Sequence, residues 1–223
     1  MSPLASRTVA VPVRGGSLVA DLSVPERSTA IVLFAHGSGS GRASPRNRAV
    51  ADALERRGFA TLLVDLLTAD EAREDERTMV YRFQIPLLGQ RLVDAVDWLE
   101  TEVALRAFEV GLYGASTGGA AALLAAAARA DRVHALVLRG ARSDLAGEVL
   151  PLVKAPVLQI VGGRDPPILE IARETDRALR CPHSTTIVPN ATHLFEEPGA
   201  LEDVTRHTLS WFERYLAPRR VSV

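Results

Sequence analysis

The run Gly114-Ala115-Ser116-Thr117-Gly118 has the spacing of a serine held in a sharp turn between a strand and a helix. Glycines two positions before and two positions after that serine remove the Cβ collisions such a turn would otherwise create. A serine hydroxyl is a poor nucleophile at neutral pH until an imidazole takes its proton, and the imidazole must be held in the right tautomer by a carboxylate. His193, within Ala191-Thr192-His193-Leu194, and Asp165, within Gly162-Gly163-Arg164-Asp165-Pro166, supply those groups. Asp165 lies 49 residues beyond Ser116 and His193 a further 28, intervals that accommodate whole strand-helix units. The chain order is serine, acid, histidine. Taken singly, the glycine turn, the Asp before Pro166 and the loop histidine each have an ordinary structural explanation; their joint order is what points to nucleophilic catalysis.

A tetrahedral intermediate also needs hydrogen-bond donors for its oxyanion. The glycine-rich segment His36-Gly37-Ser38-Gly39-Ser40-Gly41 can turn backbone N–H groups inward, and the expected donors are the N–H groups of Ser38 and Thr117. A phosphate-cradling loop would need a lysine and the spacing G-x-x-x-x-G-K-[ST], which this segment lacks. Arg42, Arg139, Arg142 and Arg164 all fall just past the ends of apolar runs, so guanidinium groups are expected around the pocket, suited to a substrate with a carboxylate or other anionic group. Pairing with nearby acids, such as Arg142 with Asp144, is the competing expectation. The five histidines, His36, His134, His183, His193 and His207, make neither an H-x-x-x-H pair nor a zinc-spaced cluster, so neither a metal nor a cofactor is expected. His134 lies inside an apolar run and reads as a core histidine.

The elements that must position these residues are legible as alternating apolar and amphipathic stretches. Thr8 to Val13 and Leu18 to Val24, broken by Arg14-Gly15-Gly16-Ser17, read as a hairpin. Continuous apolar runs at Ala30 to Ala35, Ala60 to Val64, Phe108 to Tyr113, Val133 to Leu138 and Val157 to Val161, with a weaker one at Ser184 to Val188, have the character of strands covered on both faces. Helical patterns occupy about 45 to 57, 84 to 100, 117 to 129, 168 to 179 and 200 to 216, the first opened by Ser44 and Pro45. Such alternation implies an α/β domain with a mostly parallel central sheet, an N-terminal antiparallel hairpin and helices on both faces. Ligands of such sheets sit at the C-terminal strand ends, where the candidate residues fall. The charged stretch Leu66 to Arg82 reads as a solvated helix, with a mobile lid as the alternative.

Composition narrows the class. The 223 residues carry a formal net charge of -1 and are 47% hydrophobic, which excludes disorder and gives no whole-molecule attraction for nucleic acid. Among 26 basic residues only Lys154 is a lysine, which is most simply a codon bias. Cys181 is the one cysteine, so no internal disulfide forms. Met1 to Arg7 lack a signal-peptide core, and Gly118 to Ala128 is too short to span a bilayer. The expectation is one domain over 1–223, cytoplasmic, with no membrane partner.

From Ile31 to Leu216 the chain resembles the α/β-hydrolase fold and, within it, the small cap-free dienelactone-hydrolase-like enzymes. The resemblance rests on His36-Gly37-Ser38, Gly114-Ala115-Ser116-Thr117-Gly118, Gly162-Gly163-Arg164-Asp165 and Ala191-Thr192-His193. It implies Ser116, Asp165 and His193 as the triad and Ser38 and Thr117 at the oxyanion hole. The span Arg139 to Pro156, where larger relatives insert a cap, is too short to hold one. True dienelactone hydrolases carry cysteine as nucleophile, whereas position 116 is serine and Cys181 lies elsewhere, so the resemblance describes ancestry more than substrate. Some sequences of this kind occur beside or fused to a phosphoribosyltransferase domain, which implies a metabolic partnership. The expected activity is hydrolysis of a small ester, thioester or lactone; an acyltransferase with the same triad and a non-catalytic binding module are the alternatives.

Overall fold

A computed structural model describes residues 6–216. The reading of Met1 to Ala5 therefore lies outside the described residues. Strands β1 (Ser6–Val13) and β2 (Gly16–Ser23) form the antiparallel hairpin, turning at Arg14-Gly15 with Gly15 at φ 88°. Then follow β3 (Ala30–Ala35), α1 (Pro45–Arg56), β4 (Ala60–Val64), α2 (Ala69–Thr78), α3 (Ile85–Thr101), β5 (Glu109–Ala115), α4 (Thr117–Ala128) and β6 (Val133–Arg139). A 3₁₀ segment, Ser143–Leu152, leads to β7 (Val157–Gly162), α5 (Pro166–Ala178), β8 (His183–Val188) and α6 (Ala200–Tyr215). The eight strands make one sheet in the order β1-β2-β4-β3-β5-β6-β7-β8, parallel from β4 to β8. Among the described residues no cap domain interrupts it.

The apolar strands are buried on both faces because their side chains alternate between two cores. Ile31, Leu33 and Ala35 join the core under α3 and α4, whereas Val32 and Phe34 join the core under α1 and α6. The alanine-rich α4 is buried from Thr117 to Leu123, its small side chains allowing close approach to the sheet. Helix α5 begins two residues earlier than its apolar period implies. Pro166 and Pro167 fit a first turn whose N–H groups have no intrahelical partner, so the prolines open the helix rather than precede it.

The stretch Leu66 to Arg82 contains a true helix, α2, started by a capping box between Thr68 and Glu71. It is largely solvated as expected, with two exceptions: Asp75 is 4% exposed, and Glu71 pairs with the buried Arg91 of α3. His134 corrects the core expectation. It is exposed, and its Nδ1 accepts the Val110 N–H at 3.4 Å where the β5–β6 register shifts. Cys181 is buried, and burial raises its thiol above the ordinary range. Among the described residues no helix is long and apolar enough to cross a membrane.

Candidate active site

Ser116 follows β5 directly and stands at φ 50°, ψ -122°, a backbone conformation that L residues rarely adopt and that is tolerated where the surroundings enforce it. The enforcement is steric. A Cβ at Gly118 would lie 2.3 Å from the Ala35 carbonyl oxygen, and one at Gly114 would lie 2.6 Å from Gly119 Cα. The Ser116 side chain makes no capping bond to α4, so its hydroxyl is left for another partner.

That partner is His193, whose Nε2 lies 3.3 Å from Ser116 Oγ. Its Nδ1 lies 2.6 Å from Asp165 Oδ2. A carboxylate only accepts, so Nδ1 carries the proton and Nε2 offers its lone pair to the serine hydroxyl. Asp165 is 9% exposed and ends the turn after β7, where close passage beside the Pro189–Ala191 loop admits only glycine at 162 and 163. The three residues thus come from the ends of β5, β7 and β8 and meet at one sheet edge.

The segment after β3 runs beside the serine, since a Cβ at Gly37 would sit 3.1 Å from Ser116 Cβ. Thr117 occupies the first position of α4, where its N–H has no intrahelical acceptor. Ser38 behaves differently from the expectation: its N–H donates to Thr117 Oγ1 at 2.8 Å. His36, at the root of the segment, donates from Nδ1 to the Gly37 carbonyl and accepts the Leu66 N–H at Nε2. Burial lowers its pKa, against the opposing pull of the Gly37 carbonyl and Asp65.

Two cavities flank Ser38. One, of about 200 Å³, contains Ser116, His193, Arg139 and the start of α1 in its wall. The other, of about 260 Å³, lies under α2 and is lined by His36, Thr117, Asp75 and Arg82. Of the four arginines expected around the pocket, Arg139 alone lines either cavity. Arg42 is held by Asp65 and Asp21, and Arg142 by Asp144, so both are neutralised by acids that the loops bring to them. Arg164 is exposed and acts on the Glu197 carboxylate. Arg46, Asn47 and Arg82, which are not among the residues expected at the pocket, do line these cavities. Arg46 and Asn47 were within reach of the strand-end rule, because they open the helix that follows β3. No group of three or more metal-ligating side chains occurs among the described residues.

A model of the dienelactone hydrolase family matches residues 17–216. The chain belongs to that family. A crystal structure of a dienelactone hydrolase from Anabaena variabilis superposes with a TM-score of 0.94 at 50% identity, covering 96% of this chain and 99% of that one. A putative phosphoribosyl transferase of Mycobacterium tuberculosis is 50% identical over 206 residues, 92% of this chain but 44% of that protein. A probable 2-oxo-3-(5-oxofuran-2-ylidene)propanoate lactonase of a Bradyrhizobium species is 30% identical, covering 77% of this chain and 79% of its own. The chain therefore spans less than half the length of the mycobacterial relative, while sharing the hydrolase architecture along most of its own. Family membership makes it an α/β-hydrolase of the ester-hydrolase kind.

Proposed function

We propose that the chain hydrolyses a small carboxylic ester, thioester or lactone through an acyl-enzyme on Ser116. The observation that carries this reading is the continuous hydrogen-bonded chain from Ser116 Oγ through His193 to Asp165. In the proposed reaction Ser116 Oγ bonds to the carbonyl carbon as its proton passes to His193 Nε2. The bond to the leaving oxygen then breaks, and that oxygen takes the proton from His193. Water repeats the sequence and frees the acid. Asp165 stays ionised and holds the imidazole. The oxyanion is received by the Thr117 N–H and by the Ser38 N–H once Thr117 Oγ1 releases it.

The lactonase name of the Bradyrhizobium relative favours a lactone or related ester as substrate. The name of the mycobacterial relative favours a partnership with a phosphoribosyltransferase, and the single cysteine favours a reducing cytoplasm. Treatment with a fluorophosphonate should label the protein stoichiometrically, and Ser116→Ala should abolish labelling and ester turnover while retaining the fold. A folded protein that takes no label would return the chain to the binding-module alternative. Adding an acceptor alcohol to the assay separates hydrolysis from acyl transfer by the product formed.

A further inference from the structure

Thr117 is 3% exposed, and its hydroxyl accepts the Ser38 N–H at 2.8 Å. A hydroxyl that accepts one bond still has a proton to give. Threonines within a helix can direct that proton to the carbonyl one turn back, as Thr175 does to Ile171 and Thr205 to Leu201. Thr117 has no such outlet. It stands at the first position of α4, with the sharp turn at Ser116 rather than a helical turn behind it. Among the described residues nothing accepts its proton. A buried donor without an acceptor is costly, and this one lies directly after the nucleophile, at the positive end of α4.

The place of the Ser38–Thr117 bond sharpens the point. Ser38 borders both cavities, whereas Ser116 walls one and Thr117 the other, so the bond lies on the boundary between them. It joins the two residues whose N–H groups receive the oxyanion in the proposed reaction. In the structure Thr117 Oγ1 holds the Ser38 N–H that a carbonyl oxygen needs. Release alone would lose a hydrogen bond and return nothing to Thr117. A hydroxyl can instead turn from acceptor to donor.

We propose that Thr117 is a further catalytic residue, its hydroxyl a third oxyanion donor beside the Thr117 and Ser38 N–H groups. The substrate oxygen inserts between Ser38 N and Thr117 Oγ1. It accepts the N–H that Thr117 gives up and the O–H that had no acceptor. This rests on the hydrolase reading above and adds a residue to its site. The proton stays on Oγ1 throughout, and the covalent changes remain those at Ser116 and His193. Donation strengthens as negative charge grows on the oxygen, so it lowers the barrier more than it tightens ester binding.

Thr117→Val keeps the branched shape and removes the hydroxyl. With 4-nitrophenyl butyrate, kcat should fall about 10²-fold in Thr117→Val while KM changes less than about threefold. Thr117→Ser, which restores the donor, should stay within about tenfold of wild type. A butyl trifluoromethyl ketone, whose carbonyl carbon bonds to Ser116 Oγ and leaves an oxyanion, should inhibit Thr117→Val about 10²-fold more weakly than wild type. Melting temperatures confirm that both variants fold. Turnover by Thr117→Val within about threefold of wild type, or faster, overturns the proposal, because the hydroxyl is then mere packing or an obstacle. So does a loss carried by KM, or one that Thr117→Ser shares. Wild-type protein that neither cleaves the ester nor takes a fluorophosphonate overturns the hydrolase reading and this proposal together, whereas an active wild type matched by Thr117→Val removes Thr117 alone.

Discussion

The two cavities either side of Ser38 hold charged residues on opposite terms. Under α2, Asp75 accepts the N–H groups of Tyr81 and Arg82 and the Arg82 Nε, so an acid and a base complete one another. Burial alone would raise the Asp75 carboxyl, but those N–H groups and the guanidinium outweigh it and hold its pKa below the ordinary value. Beside Ser116, Arg139 has no such partner. Charges satisfied within the chain hold a wall in place; Arg139 faces only the Phe195 ring and the neutral Tyr113 hydroxyl.

The largest effect that bears on this contrast belongs to the chemistry proposed at Ser116. Asp165→Asn should lower kcat by about 10⁴, because an amide can offer an N–H to Nδ1 and invert the tautomer that His193 needs. Activity within tenfold of wild type would remove Asp165 from the proposed set. Next comes the paired cavity. Asp75→Ala strands the Arg82 guanidinium and two backbone N–H groups, and should cost about 3 kcal/mol, seen as a melting temperature lowered by roughly 10 °C. An unaffected melting temperature would mean that the α2 wall is not held by this pair.

The opposite sign is expected beside Ser116. Arg139→Met removes a charge that no acid among the described residues pairs, so the variant should melt at or up to a few degrees above wild type. A marked loss of stability would show the guanidinium to be structural and dissolve the contrast. The smallest effect concerns His36, at the root of the segment that separates the two cavities. His36 has a folded pKa below the ordinary 6.5, so the unfolded chain binds the proton more readily and stability falls as pH drops from about 6.5. His207, also lowered by burial and by Arg206, contributes in the same window and is common to both proteins compared. Melting temperatures measured from pH 7 to pH 5 should therefore decline less steeply in His36→Gln than in wild type; parallel curves would exclude His36 as the titrating group.

How far each part could be read in advance depended on how local its cause was. The elbow at Ser116 was legible because Gly114 and Gly118 are required by backbone clashes within a few residues or against the adjacent strand. The α5 boundary falls two residues before its apolar period because Pro166 and Pro167, which suit a helix's first turn, add nothing to that period. His134 sat in an apolar run, yet its side chain is exposed and its ring accepts the N–H of the buried Val110, where the β5–β6 register shifts. Four arginines followed strand ends and were indistinguishable by that rule. Asp21, distant in sequence but adjacent through the hairpin, and Asp65, at the end of β4, removed Arg42 from the site.

Residue order, apolar periodicity and glycine spacing were enough to specify the alternating sheet-and-helix plan and to nominate Ser116, Asp165 and His193, since strand ends in such a sheet converge on one edge whatever the loops contain. Whether a given polar group is already partnered was decided only by the folded chain. Pairing depends on atoms a few ångströms apart that are tens of residues distant along the backbone, and in this protein it separates the ion-paired Arg42 and Arg142 from the unpaired Arg139.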